Sequence, residues 1–135
     1  MRGLASMVTE VAQRFVDKAI FRFCYIAEAH ARDEWPVLSD RFNLGRGPVV
    51  VNQPKTTAER AKLAAAFQRD FALDKLDLVV DVPEESDAFE RAYAPWPLRF
   101  YFIGRDDRLL WVAEPVECSF TDALVQLISI LEEYV

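Results

Sequence analysis

The 135-residue chain, with 52% apolar and 28% charged residues, has the size and composition of one globular domain. Its formal net charge of −6 excludes nonspecific nucleic-acid binding, which depends on clustered lysines and arginines. No apolar run approaches the roughly 20 residues that a membrane-spanning helix needs, and the N-terminus has no signal-peptide pattern. The two cysteines lie far apart, so we expect a reducing, cytoplasmic location and no metal site.

The first half of the chain alternates helical and strand patterns. Its elements are marked by apolar residues at helical spacing, by a capping-box pair, Thr56 with Glu59, and by a short aromatic run that we expect to be a strand buried on both faces. In chain order the patterns predict a helix at 2–17, a strand at 19–26, a loop at 31–48, a strand at 48–51 and a helix at 57–72.

The second half predicts a further strand, a hairpin and two more helices. A strand at 76–82 ends at Pro83, and Ser86 or Asp87 begins a short helix that ends near Tyr93. The runs LRFYFIG and RLLWVAE then predict an antiparallel hairpin. A second capping box, Ser119 with Asp122, begins the C-terminal helix.

This order predicts an α/β fold with parallel strand pairing and an antiparallel hairpin. The first helix is unusual because no strand precedes it and no capping residue begins it. It is either an N-terminal helix that docks on the sheet or a helix that normally follows a strand of its own.

The segment YIAEAHARDEW, residues 25–35, places the only histidine, His30, where a buried strand ends. Ligands of open α/β sheets bind beyond the carboxyl ends of strands, and histidine exchanges protons near neutral pH. A lone histidine at such a place is nevertheless more often a capping or solvated residue than a catalytic one.

That segment resembles the iodothyronine deiodinase family, in which a strand runs into Tyr-Ile-x-Glu-Ala-His and then Asp-x-Trp. The resemblance continues through NQPKTTAERAKLA at 52–64 and through LVVDVPEESDAFERAYAPWPLRFYFIGRDDRLLW at 78–111. It implies one thioredoxin-like domain over residues 1–135, a mixed sheet flanked by helices, from which the first strand and the selenocysteine or cysteine after it are missing. Our hypothesis is that Met1 is a restart after an in-frame UGA codon.

The resemblance also implies a site. His30 would supply a proton beside the selenolate, and Glu28, two residues earlier on the same strand face, either orients the imidazole or is merely solvated. Trp35 and Asp33 fix the following loop or contribute to the site. Pro97 occupies a position at which thioredoxin-like folds often carry a cis proline, and Trp96 is a further candidate for the cleft wall.

Neither cysteine is expected to be the nucleophile. Cys24 lies inside an apolar strand, where a thiol is buried and its pKa is raised. Cys118 precedes the C-terminal helix, whose dipole could activate a thiol, but no other feature marks a site there.

Three departures from the family concern the substrate. Leu98 stands where the family has a carboxylate that clamps the amino-acid end of the hormone, Pro54 stands where it has a second histidine, and AEPVECSF replaces its glycine-rich segment. We therefore do not expect thyroid hormone as the physiological substrate.

Two hypotheses follow. The first is a selenol- or thiol-dependent oxidoreductase that reduces a small electrophile, an organohalide or a peroxide, with a thiol reductant as co-substrate and no bound cofactor; the 135 residues alone would be inactive. The second is a non-catalytic thioredoxin-like binding or structural module. Unpaired central strands would leave a trough in the core and favour instability or a homodimer.

Overall fold

A computed structural model of the protein describes residues 2–39, 47–48, 50–74, 76–113 and 119–135. Four α-helices and four strands are found in these ranges. In chain order they are α1 (Ala5–Arg14), β1 (Arg22–Tyr25), α2 (Thr57–Asp70), β2 (Asp77–Val80), α3 (Ala88–Tyr93), β3 (Tyr101–Ile103), β4 (Leu109–Val112) and α4 (Phe120–Tyr134). Among the described helices, none combines the length and the apolar character needed to cross a membrane.

Both predicted capping boxes are present, and they begin the two longest described helices. The Thr56 hydroxyl accepts from the Glu59 N–H, and the Glu59 carboxylate accepts from the Thr56 N–H. Ser119 and Asp122 form the same reciprocal pair before α4. Each box satisfies backbone donors that a helix start leaves without partners, so these starts could be located from local sequence alone.

The first helix is confirmed, and its start has no side-chain cap, as the sequence predicts. A 3-10 turn, Arg2–Leu4, leads into α1, and Leu4 at the cap position makes no capping hydrogen bond. The apolar stripe of α1 enters the core with residues of α2 and α4. The buried members of this core include Val8, Val11, Phe15, Ala64, Phe67, Leu124, Leu127 and Leu131.

The short helix α3 is confirmed, but its predicted cap is wrong. Asp87 precedes α3 with φ of 53°, and its side chain makes no capping bond. Instead the buried Asp81, just after β2, accepts from the N–H groups of Phe89 at 2.9 Å and Glu90 at 2.8 Å. A side chain eight residues upstream therefore supplies the cap, which a local pattern could not reveal.

The strand prediction at 48–51 is wrong for the residues described there. No strand is assigned at Pro48, Val50 or Val51, and Val49 lies outside the described residues. The Val51 carbonyl accepts from the Arg32 N–H at 2.8 Å, so it holds the loop that follows β1 rather than a strand of a sheet.

The strand prediction at 19–26 is confirmed in position and wrong in burial. β1 is shorter than predicted, Arg22 at its start is exposed, and Ile20 before it is 89% exposed. One side of β1 does pack: Phe23 and Tyr25 contact Phe67 of α2, with ring centroids 5.8 Å apart in each pair.

The described strands form two separate two-stranded sheets. β1 pairs in parallel with β2 through the α2 crossover, and β3 pairs antiparallel with β4, as predicted. The fold is therefore mixed α/β. No described strand joins β1 to β3.

Candidate functional site

A large cavity of about 1600 Å³ separates the two sheets. We call it the interstrand slot. Two runs of consecutive residues line it, 18–30 around β1 and 95–107 around β3. A pocket on one face of a sheet would be lined by every second residue, because successive side chains point to opposite faces. Consecutive lining therefore shows that the slot lies between strand edges.

Hydrogen-bond alternation indicates that one edge of each sheet faces the slot, and among the described residues neither edge is paired with another strand. The Tyr25 carbonyl accepts from Asp81 on the β2 side, so the backbone groups of Cys24 and Ile26 point the other way. On the opposite wall, the Phe100 carbonyl accepts from Ala113 beside β4. The backbone groups of Tyr101 therefore point into the slot, as do those of Ile103.

One end of the slot gathers the residues that the sequence singles out. Trp35, after β1, stacks on Trp96, before β3, with ring centroids 6.3 Å apart and planes 8° from parallel. This contact brings the loop that follows β1 next to the segment that precedes β3. The predicted site residues all line the slot: Glu28, His30, Trp35, Trp96 and Pro97.

His30 is half-buried and packs edge-on against Trp35, with ring centroids 6.0 Å apart. An imidazole in this position lies at the mouth of the slot, where it can contact a group bound there. The geometry allows proton exchange with such a group.

Glu28 is held on several sides. Its carboxylate accepts a hydrogen bond from the Tyr25 hydroxyl. Its backbone N–H donates to Gln53 Oε1 at 2.9 Å, and its carbonyl accepts from Gln53 Nε2 at 3.0 Å. The Glu28 side chain is therefore anchored to β1, and its backbone to the segment before α2.

Asp33 fixes the loop after β1, as one of its two predicted roles requires. Its Oδ1 accepts from the Gln53 N–H at 2.8 Å, and this hydrogen bond lowers the pKa of the Asp33 carboxyl. Gln53 Nε2 also donates to Glu34 at 3.0 Å. The loop around His30 is thus held by Gln53, whose role the sequence did not indicate.

Pro97 follows a cis peptide bond after Trp96, as predicted. Trp96 is 43% exposed and Trp35 is 64% exposed, so the stacked indoles form an open aromatic wall at the mouth of the slot. Such a wall suits an apolar or planar ligand.

Cys24 is unsuited to act as the nucleophile, as predicted. Burial is the main cause that raises the pKa of its thiol to about 11; the negative charge of Asp81 adds to the increase, and Arg60 partly opposes it. Cys118 lies outside the described residues, so its prediction is untested.

Arg99 is a slot residue that sequence reasoning missed. It lines the slot, its Nε atom is buried, and among the described residues that atom has no hydrogen-bond acceptor. The signal was an arginine inside the apolar run LRFYF. Arg99 provides a fixed positive charge in the wall, which can stabilise an anion.

A carboxylate cluster lies outside the slot mouth. Oxygens of Asp81, Asp87 and Glu90 fall within 4.8 Å of one another. Buried Arg60 forms an ion pair with Asp87 and donates to the Asp81 carbonyl at 3.0 Å, and the Asp81 side chain caps α3. The Arg60 guanidinium therefore already supplies a positive charge to the three carboxylates. Because Arg60 belongs to α2 and the carboxylates lie at the start of α3, these contacts hold α2 against α3.

No protein-family model matches this chain, and no curated protein is similar enough to count as a relative.

Proposed function

We propose that the chain is the main part of a deiodinase-like, thioredoxin-like oxidoreductase that reduces a small electrophile, an organohalide or a peroxide. The observation that supports this proposal is the convergence of His30, the stacked tryptophans and cis Pro97 on one end of the interstrand slot. In this proposal a strand from outside the 135 residues carries a selenol or thiol to that end.

The chemistry would proceed in two stages. The selenolate or thiolate attacks the halogen, and the carbon–halogen electron pair passes to carbon, which takes a proton from the His30 imidazolium. Two equivalents of a thiol reductant then release halide, form a disulfide and regenerate the nucleophile. With a hydroperoxide the same nucleophile attacks the outer oxygen, and the alcohol leaves with a proton.

The residues of this chain position the reactants. The hydrogen bonds of Gln53 to Glu28 and Asp33 hold the His30 loop, and the indoles of Trp35 and Trp96 exclude water from one side of the substrate. Arg99 stabilises the negative charge that develops during attack. The 135 residues alone would bind but not turn over.

A non-catalytic thioredoxin-like binding or structural module is the second candidate. The observation that favours it is that the described residues contain no cysteine suited to act as a nucleophile, since Cys24 lies in an apolar strand and burial raises the pKa of its thiol. A peroxiredoxin-like peroxidase would be distinguished from the first candidate by turnover of hydroperoxides without turnover of organohalides.

The test is to read the codons upstream of Met1 and express the longer frame. An apolar strand followed by Thr-x-UGA or Thr-x-Cys in frame is expected, together with thiol-dependent reduction of an aryl iodide or a hydroperoxide. His30→Asn should lower kcat at least tenfold and change the pH profile, whereas the exposed-site control Glu10→Gln should not. A frame without either codon, or full activity in His30→Asn, contradicts the proposal.

A further inference from the structure

The interstrand slot has the dimensions of a missing strand. Neighbouring strands lie about 4.8 Å apart, rise about 3.3 Å per residue and pack about 10 Å from the next layer, so one strand residue fills about 160 Å³. At about 1600 Å³, the slot has room for a strand longer than β1, including its side chains on both faces.

Both walls carry open hydrogen-bonding groups at strand spacing. The backbone groups of Cys24 and Ile26 point into the slot from β1, and those of Tyr101 and Ile103 point into it from β3, as the bonding on the opposite edges indicates. Within the described part of the chain, no strand pairs with these groups. An inserted strand could therefore pair with β1 along one edge and with β3 along the other. The result would be a continuous sheet in the order β2, β1, inserted strand, β3, β4.

The helices that line the slot define the side chains that such a strand needs. Their contribution is mainly apolar and includes Val8, Val11, Phe67, Leu124, Leu127 and Leu131, with Tyr93 and Tyr134 as its polar members. A strand that alternated apolar and polar residues would bury polar groups without partners. The occupant that fits is a short extended peptide, apolar on both faces.

We infer that the slot is a strand acceptor that binds such a peptide in trans, as a separate molecule, by adding it as the central strand of the sheet. This inference rests on the proposed function in one respect: the proposed function supplies the natural strand that would occupy the slot. Binding itself requires no redox step, so it can be measured on the 135-residue chain.

The test is calorimetric titration with the peptide Lys-Lys-Val-Ile-Val-Leu-Val-Phe-Lys-Lys, followed by amide hydrogen exchange. Saturable binding is expected. At a free peptide concentration of 100 times Kd, exchange at the N–H groups of Cys24, Ile26, Tyr101 and Ile103 should slow about 100-fold. The N–H groups of Tyr25 and Phe102, which already pair with β2 and β4, should exchange slowly before the peptide is added.

Two controls separate strand pairing from apolar adsorption. The peptide Lys-Lys-Val-Ile-Pro-Leu-Val-Phe-Lys-Lys has nearly the same composition but lacks a central donor, so it should bind at least tenfold more weakly. On the protein side, Ile103 is half-exposed and its N–H points into the slot. Ile103→Pro should weaken binding, whereas Ile103→Val, which keeps the N–H, should not.

Each contrary outcome has a definite meaning. No binding, equal binding of the proline peptide, or protection away from the two edges overturns the inference. A further contrary outcome is a chain that sediments as a dimer and whose slot amides are protected without peptide. A second copy would then occupy the slot, and this result would overturn the inference as well. Peptide binding combined with an inactive longer protein would contradict the proposed function alone; an active longer protein with no peptide binding would contradict the inference alone.

Discussion

Cys24 shows how the position of one side chain decides its chemistry. Its thiol lines the slot beside the Asp81 and Arg60 charges, yet burial dominates and raises its pKa from 9.0 to about 11. The apolar run around it made this outcome predictable from the sequence. Arg99 was not predictable in the same way, because whether an arginine in such a run points to solvent or into a cavity depends on the sheet around it.

The first prediction concerns the reactivity of Cys24. A pKa raised from 9.0 to about 11 lowers the thiolate fraction at pH 8 about 100-fold. In a Cys118→Ser variant, iodoacetamide should therefore alkylate folded Cys24 about 100-fold more slowly than the same chain in urea. The rate in the folded chain should increase with pH until about pH 11. Equal rates with and without urea would contradict this.

The second prediction concerns Glu90, whose carboxyl pKa is raised by burial first and then by the charges of Asp87 and Asp81, with Arg60 opposing. A raised pKa means that the folded state favours the protonated form, so the ionised carboxylate costs stability above the folded-state pKa. Glu90→Gln should raise the free energy of unfolding at neutral pH and leave it nearly unchanged at acid pH. Denaturant unfolding at both pH values measures this; a loss of stability at neutral pH would contradict it.

At the scale of elements, short sequence patterns correctly predicted those helix starts that are stabilised by hydrogen bonds between neighbouring residues. The capping boxes of α2 and α4 lie within four residues, and the starts of both helices were found. The cap of α3 comes from Asp81, and the Val51 carbonyl is held by a hydrogen bond from the Arg32 N–H. Both depend on how the chain folds back on itself, so the predicted Asp87 cap and the strand at 48–51 failed.

The third prediction tests the nonlocal cap. Asp81 is buried and accepts from three backbone N–H groups, those of Val82, Phe89 and Glu90. Asp81→Ala would leave buried donors without acceptors and should cost about 2 kcal/mol or more in the free energy of unfolding. The matched control is Asp77→Ala in β2, whose exposed ion pair with Arg22 should contribute less than about 1 kcal/mol. Equal losses would contradict the assignment.

At the scale of the whole molecule, the pairing of strands could be predicted, but the gap between the sheets could not be placed by pattern alone. Parallel β1–β2 and antiparallel β3–β4 follow from the order of elements. The trough was expected only because the family resemblance implied a strand at that place. The prediction that β1 is buried on both faces failed, because apolar periodicity shows which residues need burial and does not show whether a neighbour is present to bury them.

The proposed site depends on this gap. His30 and Trp35 lie about sixty residues before Trp96 and Pro97 in the sequence, and the two pairs meet at the end of the slot. A reacting group carried on an inserted strand would reach them there. The proposed proton-transfer role and the inferred strand-acceptor role therefore share one structural requirement: two strand edges that face each other and are unpaired among the described residues.

The most direct test is amide hydrogen exchange on the 135-residue chain without any peptide. We predict an alternating pattern along both edges: rapid exchange at Cys24, Ile26, Tyr101 and Ile103, and slow exchange at Tyr25 and Phe102, whose N–H groups pair with β2 and β4. Uniformly slow exchange along β1 and β3 in a monomeric chain would mean that both edges are already paired. The slot would then be closed, and neither peptide insertion nor a reactive strand at its end would be possible.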